Sequence, residues 1–344
     1  MPEYAVLILP SANRVYTDTA PRLVRAEVAA FASSLLSVTV TDTGTRAIGG
    51  VDYVTLTTDR PLAGRDVAAL SNVSSAYALF EITGELLRPL TMTPAARFDS
   101  DLLTIQKYPG KTNEQFTQLV LNLTVLASEK ATTAFEGPLH VLDPLCGRGT
   151  TLNQAMRYGY DATGVEVAPK DFEAYERFIK TWLRSKRLKH TATSGVLRRH
   201  KVRLGQRLEI TYAESKEAQR AGESRSLTYY NSDTLRTDEL LRAESVDVIV
   251  TDAPYGVQHG SRGDDDSLAR SPRDLLAAAV PVWTRVLRTG GALGISFNTH
   301  VLSHDEITAV LGRAGLTVVT GPGYDGLAHR VDQAIVRDVV VARK

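Results

Sequence analysis

His140-Val141-Leu142-Asp143-Pro144-Leu145-Cys146-Gly147-Arg148-Gly149-Thr150-Thr151 reads as a short apolar strand, a tight turn and the start of a helix. The glycines permit backbone conformations that a Cβ forbids, and they let a ligand approach the main chain. Backbone N–H groups without partners at the helix start then face that ligand. Dinucleotide-binding proteins use a similar turn, but Gly147-Arg148-Gly149-Thr150-Thr151 lacks their third glycine. Asp143 adds a second distinction, since a carboxylate at the strand end repels a pyrophosphate and suits a cationic aminoacyl tail. Glu166 closes the next expected strand, Thr163-Gly164-Val165-Glu166, where a carboxylate can accept hydrogen bonds from ribose hydroxyls.

Outward from this turn, strands and helices alternate from about Phe98 onward, the pattern of a parallel α/β sheet. Strands are expected at His140 to Leu142, Ala162 to Val167, Val246 to Thr251, Ala292 to Phe297 and Thr317 to Thr320. Helices are expected at Thr151 to Tyr158, Arg273 to Arg288 and Asp305 to Ala314. Ser271 and Pro272 are start signals for the second of these and Gly290-Gly291 its stop, while Pro281 should kink or split it. Gln333 to Val336 and Val339 to Ala342 read as two terminal strands. The first hundred residues have a different texture: a strand over Tyr4 to Leu9, a helix over Ala20 to Leu36 capped by Thr19, then strands at Ser37 to Thr41, Val51 to Thr57 and Ser75 to Ile82. The expected fold class is therefore α/β, with a Rossmann-like domain over 98–344 and a smaller N-terminal α+β domain over 1–97 as a candidate for substrate binding.

Val246 to Thr251 ends in Asp252-Ala253-Pro254-Tyr255-Gly256, beyond the carboxyl end of a buried strand, where ligands of open α/β sheets bind. Pro254 restricts Ala253 to extended geometry and so fixes the direction of the neighbouring carbonyls. A carboxylate, a fixed carbonyl and an aromatic face together can recognise a planar ring bearing an amino group. With the glycine turn, this motif resembles the class I S-adenosylmethionine-dependent amino-methyltransferases, and most closely the THUMP-associated tRNA guanine-N2 methyltransferases. The resemblance runs from about Tyr108 to the C-terminus, apart from a basic insertion near 184–226. Tyr108-Pro109-Gly110-Lys111-Thr112-Asn113-Glu114-Gln115-Phe116 is similar to the family's cofactor-contacting segment, and Asn231-Ser232-Asp233 to the motif whose acid holds the adenine amino group. His329-Arg330-Val331-Asp332 and the final strands resemble its closing hairpin. Ala253 stands where the family has a proline, and the roughly hundred residues before the resemblance are short for a full THUMP module with its companion domain.

The resemblance implies S-adenosylmethionine as cofactor, held by Thr112, Asn113, Phe116, Asp143, Leu145, Cys146, Gly147, Gly149, Thr150, Thr151, Glu166, Val167, Ser232 and Asp233. It implies a catalytic group of Asp252, Ala253, Pro254 and Tyr255, with no metal. Forty Lys and Arg against thirty-nine Asp and Glu leave a net charge of only +1, yet Arg184 to Arg207 holds nine basic residues and no acidic one. Arg198, Arg199 and Lys201 in that stretch are candidates for phosphate contacts, against the alternative of a solvated surface. Asp264-Asp265-Asp266 reads as part of a loop over the substrate and not as a metal site, because adjacent carboxylates point apart.

Cys146 is the sole cysteine, which excludes an internal disulfide and a cysteine-based zinc cluster. No run approaches the roughly 20 apolar residues of a membrane span, and the start carries no signal-peptide pattern, so a cytoplasmic location is expected. The expected reaction is methylation of an exocyclic amine of a nucleic-acid base, foremost guanine N2 in tRNA or other structured RNA. Adenine-N6 methylation of DNA and N-methylation of a small molecule or protein are the alternatives, and a binding protein that keeps the fold without catalysis is a third.

Overall fold

The computed structural model describes the chain apart from Ala12, His200 and residues 256–270. β1 (Glu3–Ile8), α1 (Arg14–Ser34), β2 (Val40–Ile48), β3 (Val51–Thr58), α2 (Gly64–Leu70), β4 (Ala76–Thr83) and β5 (Leu86–Leu90) come first in the chain. Their strands form an antiparallel sheet in the order β2-β3-β1-β4-β5. The helix starts earlier than its Thr19-Pro21 signal suggests. Asn13 caps it, its side chain accepting from the Val15 and Tyr16 N–H groups, and those two bonds outweigh the weaker signal one and a half turns on. The strand expected from Ser37 begins only at Val40, because the Ser37 N–H and hydroxyl each donate to Asp66 at 2.7 Å and hold that residue in a turn.

α3 (Asp101–Thr104) and α4 (Glu114–Ala127) lead into β6 (His140–Asp143), α5 (Thr150–Arg157), β7 (Asp161–Glu166) and α6 (Pro169–Ser185). β8 (Lys189–Arg199), β9 (Val202–Ala213), α7 (Lys216–Arg220), β10 (Arg225–Asn231), α8 (Thr237–Leu240) and β11 (Val246–Asp252) follow. The chain closes with α9 (Pro272–Val286), β12 (Leu287–Asn298), α10 (His304–Arg313), β13 (Thr317–Val318), β14 (His329–Arg330) and β15 (Val336–Arg343). The second sheet has the order β13-β15-β12-β11-β6-β7-β10-β9-β8, with β14 paired to β15. β12, β11, β6, β7 and β10 run parallel; β15 and β9 run against their neighbours. The chain leaves β6 toward β7 on one side and returns to β11 on the other, so the carboxyl end of β6 is a topological switch point. This is a Rossmann-like α/β sheet, as the alternating pattern requires.

Each buried strand feeds two apolar layers. Val141 and Val248 pack with α4, α5 and α6, whereas Leu142 and Ile249 pack with α9 and α10. The first layer is continuous with the core of the N-terminal sheet through α1 and α4. A buried polar join crosses it: Glu27 of α1 accepts from the Ser74 N–H and hydroxyl and from the Asn122 side chain of α4. Burial pushes the Glu27 carboxyl up to about 7.

Two further expectations differ from the observed elements. α9 runs through Pro281 as one helix and ends at Val286, so Gly290-Gly291 lies inside β12, where Gly291 sits so close to the Asp247 carbonyl that a Cβ would lie 2.6 Å from it. Of the two C-terminal runs only the second forms a strand: β15 begins at Val336, leaves Gln333 to Ile335 outside any strand, and pairs with β12 from Arg343 back to Arg337. The basic insertion becomes a hairpin, β8–β9, added to the sheet edge beyond β10.

Candidate active site

Asp143 ends β6, and the chain turns through Gly147 and Gly149 into α5. Gly149 is the N-cap in the left-handed region at φ +78°, and a Cβ there would meet the Tyr175 ring at 2.3 Å. The Tyr229 hydroxyl donates to the Gly147 carbonyl at 2.5 Å and ties the turn to β10. Asp143 is buried, and it accepts from the Leu145 N–H at 3.1 Å. Burial outweighs that bond and the neighbouring threonine hydroxyls, pushing its carboxyl up to about 7. Glu166, at the end of β7, accepts from the Gly147 N–H at 3.1 Å and the Ala168 N–H at 2.8 Å, so it braces the turn. Its carboxyl is also raised by burial.

Asp252 ends β11, two strands along the carboxyl edge from β7. Its carboxylate accepts the Thr112 hydroxyl at 2.6 Å, the Ser296 hydroxyl at 2.6 Å and the Tyr255 hydroxyl. The Arg337 guanidinium stands 3.8 Å away. Tyr255 is thus folded onto Asp252 with its ring beside Arg337, and burial together with the Asp252 charge raises its phenol. The Ala253 N–H donates to the Ser296 carbonyl at 2.8 Å, and the Ala253 carbonyl has no backbone partner among the described residues.

A cavity of about 430 Å³ joins the two motifs. Thr112, Asp143, Leu145, Cys146, Gly147, Thr150 and Thr151 line it from the turn side, and Asp252, Ala253, Pro254 and Tyr255 from the other. Tyr108 and Arg148, which belong to the quoted motifs but are not among the expected cofactor-holding residues, also line it. The Arg148 guanidinium lies 4.7 Å from the Tyr108 ring centroid and pairs with Asp171 at 2.8 Å, so the two side chains cover the turn. No periodicity or motif signals such a contact between residues forty positions apart.

Other predicted residues take different positions. Asn113 caps α4, accepting from the Gln115 and Phe116 N–H groups, and its amide donates to Ser11. Phe116 is buried against Tyr16 and His329. Neither lines the cavity, and the cap and the core packing explain why. Val167 lies exposed beyond the end of β7, while Ser232 turns its hydroxyl to the Leu204 carbonyl of the hairpin and Asp233 caps the following turn at Leu235. Arg198, Arg199 and Lys201 sit at the hairpin tip. Gly256 and the loop with Asp264-Asp265-Asp266 lie outside the described residues.

The cavity fits S-adenosylmethionine on its own features. Its volume is within the range of roughly 300–1,000 Å³ usual for cofactor sites. The buried Asp143 carboxyl lines it, which suits a cationic tail, and a side chain at Gly147 would meet nothing within 4 Å, so the turn leaves its ligand side open. The sheet, the glycine turn and the paired strand-end carboxylates define an S-adenosylmethionine-dependent methyltransferase.

Comparison with protein families agrees with that class: residues 132–293 match the family described as UPF0020, RMKL-like, methyltransferase domain. No curated protein matches the chain. Among solved structures, TrmN from Thermus thermophilus is similar over 100% of both chains, at 14% identity and a TM-score of 0.44. A SAM-dependent methyltransferase from Methanosarcina mazei is similar over 62% of this chain and 95% of its own, at 13% identity and a TM-score of 0.38. A TehB-like SAM-dependent methyltransferase from Corynebacterium glutamicum is similar over 60% and 80%, at 15% identity and a TM-score of 0.33. Among the described residues no helix is long and apolar enough to cross a membrane.

Proposed function

We propose that the chain methylates an exocyclic amine of a nucleic-acid base, foremost guanine N2 in tRNA or another structured RNA. The observation that carries this reading is the carboxylate of Asp252, held by three hydroxyls at the wall of the cofactor cavity. An exocyclic amine is a poor nucleophile, because its lone pair is delocalised into the ring. Hydrogen bonds from its two N–H groups to Asp252 and to the Ala253 carbonyl favour the pyramidal form, in which the lone pair is available. When bound, S-adenosylmethionine supplies an electrophilic methyl group. Asp143 and the turn hold the cofactor's aminoacyl end, so that the chain's main contribution is alignment of the reacting atoms. The amine gives up one proton as its new bond to carbon forms, and Asp252 is the nearest acceptor for it.

Tyr255 leaves Asp252 when the amine arrives, and its ring then stacks on the base. That requires a base unpaired or flipped out of a helix. The hairpin supports a nucleic-acid substrate. β9 runs past the end of β10, where Gly205 touches the Asn231 carbonyl so closely that a Cβ would lie 1.9 Å from it. The exposed tip, with Arg198, Arg199, Lys201 and Arg203, therefore projects on the carboxyl side of the sheet. Arg199 donates to the backbone carbonyl of Glu239 and not to a carboxylate. The start of the basic stretch behaves differently, since Lys186 pairs with Asp99 and Asp101 and serves the fold. The test is methylation of total RNA and total DNA with labelled cofactor, followed by analysis of digested nucleosides. Label in N2-methylguanosine is the expected result; label confined to N6-methyladenine of DNA would replace the reading with its alternative.

A further inference from the structure

Arg337 is buried to 5% exposure, and its place in β15 sets it opposite Asn298, at the carboxyl end of β12. Its guanidinium carbon lies 4.4 Å from the Phe116 ring centroid and 5.1 Å from that of Tyr255. The Asp252 carboxylate, at 3.8 Å, is beyond hydrogen-bond reach. Arg337 Nε has no hydrogen-bond partner among the described residues, and neither has Nε2 of the buried His329, whose ring packs on the same phenylalanine. A buried guanidinium with two aromatic faces and one distant carboxylate is poorly compensated, because a desolvated charge needs close hydrogen bonds to an opposite charge.

A second cavity, of about 190 Å³, opens beside this group. Lys111, Arg330 and Arg337 bring three cations to its wall, and Glu114, already paired with Lys111, is the only carboxylate among its described lining residues. Ser11 and Asn13 complete the rim from the segment that leads into α1. Thr112 lines both cavities, and its hydroxyl donates to Asp252. One residue therefore separates the positive cavity from the carboxylate assigned to the target amine.

We propose that this cavity binds a backbone phosphate of the substrate nucleic acid, close to the nucleotide whose base enters the Asp252 site. The inference rests on the nucleic-acid reading above and adds to it a phosphate anchor distinct from the hairpin tip. A phosphate supplies the acceptors that the guanidinium lacks, in charge-assisted bonds stronger than those between neutral groups. Arg337 then links the two events, since it contacts Tyr255 on one side and the phosphate on the other. Neutralising it also removes the cation beside Asp252 as the amine approaches.

The test uses the full chain and inorganic phosphate as probe, following the Arg337 Nε–Hε resonance by NMR. Phosphate should shift that resonance saturably at millimolar concentration. Asn13→Asp puts a negative charge on the rim and still caps α1, since Asp and Asn cap equally well; Asn13→Ser keeps a cap without the charge. Asn13→Asp should weaken phosphate binding at least fivefold, and Asn13→Ser should leave it within twofold. A second arm measures binding of a fluorescent RNA hairpin by anisotropy at constant ionic strength. Phosphate should compete with the RNA, and Asn13→Asp should weaken RNA binding severalfold. Absence of a saturable shift, or an Asn13→Asp protein that binds phosphate normally, overturns the anion site. Phosphate binding without competition overturns the backbone as its source. Failure of the chain to methylate any RNA or DNA would defeat the functional reading while leaving the phosphate titration informative on its own.

Discussion

Acidification should weaken S-adenosylmethionine binding through one side chain. Asp143 is buried to 3% exposure, and its carboxyl is pushed up to about 7. If Asp143 holds the cofactor's ammonium, as proposed, the pair needs the charged carboxylate, so below pH 7 binding must first expel a proton from Asp143. Each pH unit below that point then weakens the association constant about tenfold, which gives about a twentyfold loss between pH 7.5 and 5.5. The free cofactor's own amino group, with a pKa of about 7.7–8.0, has lost at least half its charge by pH 8, so affinity peaks between about pH 7 and 8. The folded protein without cofactor responds in the opposite sense. Asp143 is protonated when folded and ionised when unfolded between its ordinary value of 3.8 and about 7, so its stabilising share is present at low pH and is lost as pH rises through that window. Calorimetry in buffers of different ionisation heat reads both the affinity and the proton released, about one per cofactor at pH 5.5. Asp143→Asn should bind more weakly at pH 7.5 and lose the acid limb. An affinity that varies less than twofold from pH 5.5 to 7.5, without proton release, would refute the assignment of Asp143 to the ammonium.

Glu27→Gln should remove a buried group whose folded carboxyl sits at about 7, so above pH 7 the variant should gain up to about 3 kcal/mol in urea unfolding and lose part of the wild type's decline in stability between pH 4.5 and 7. Asp252→Asn keeps the shape and removes the strongest acceptor; single-turnover methyl transfer should fall by about a hundredfold or more, roughly 3 kcal/mol, with cofactor affinity changed only a few-fold. Replacing Arg198, Arg199 and Lys201 by Ala should flatten the dependence of log RNA affinity on log salt by about 0.7–0.9 for each phosphate no longer neutralised, and an unchanged slope would return the hairpin tip to an ordinary solvated surface.

The sequence was most legible where structure is local. The strand, turn and helix around Gly147 and Gly149 depend on residues within a dozen positions, and so does the end of β11 at Asp252. Competing local signals were harder to rank. Thr19 and Pro21 look like a helix start, yet Asn13 captures two N–H groups and the helix begins there. Gly290-Gly291 looks like a helix stop, but a close approach to β11 requires small residues in β12 at that point. Contacts set by strand register were not legible. Arg337 reaches Asp252 only because β15 pairs with β12 at Asn298, and nothing near residue 337 in the chain announces that. The exposed hairpin tip was legible as charge but not as direction, because its placement follows from the pairing of β9 with β10.

The surroundings of Asp252 explain why hydroxyls, and not cations, hold it. A lysine or arginine hydrogen-bonded to the carboxylate would take up the negative charge that an amine must meet as it becomes pyramidal. Thr112, Ser296 and Tyr255 orient the two oxygens without cancelling that charge, while the one nearby cation is kept at 3.8 Å by the aromatic rings around it. The three hydroxyls are not equivalent. Ser296 lies within β12, and Thr112, outside any helix or strand, directly precedes the cap of α4. Tyr255 lies three residues past the end of β11 and belongs to no regular element, and it is the donor whose departure the proposed reaction requires. Its departure opens one acceptor position on Asp252 and frees an aromatic ring in the same movement. On the proposed reading an amine and its base use both, and the residue that guards the carboxylate would then be the one that recognises what displaces it.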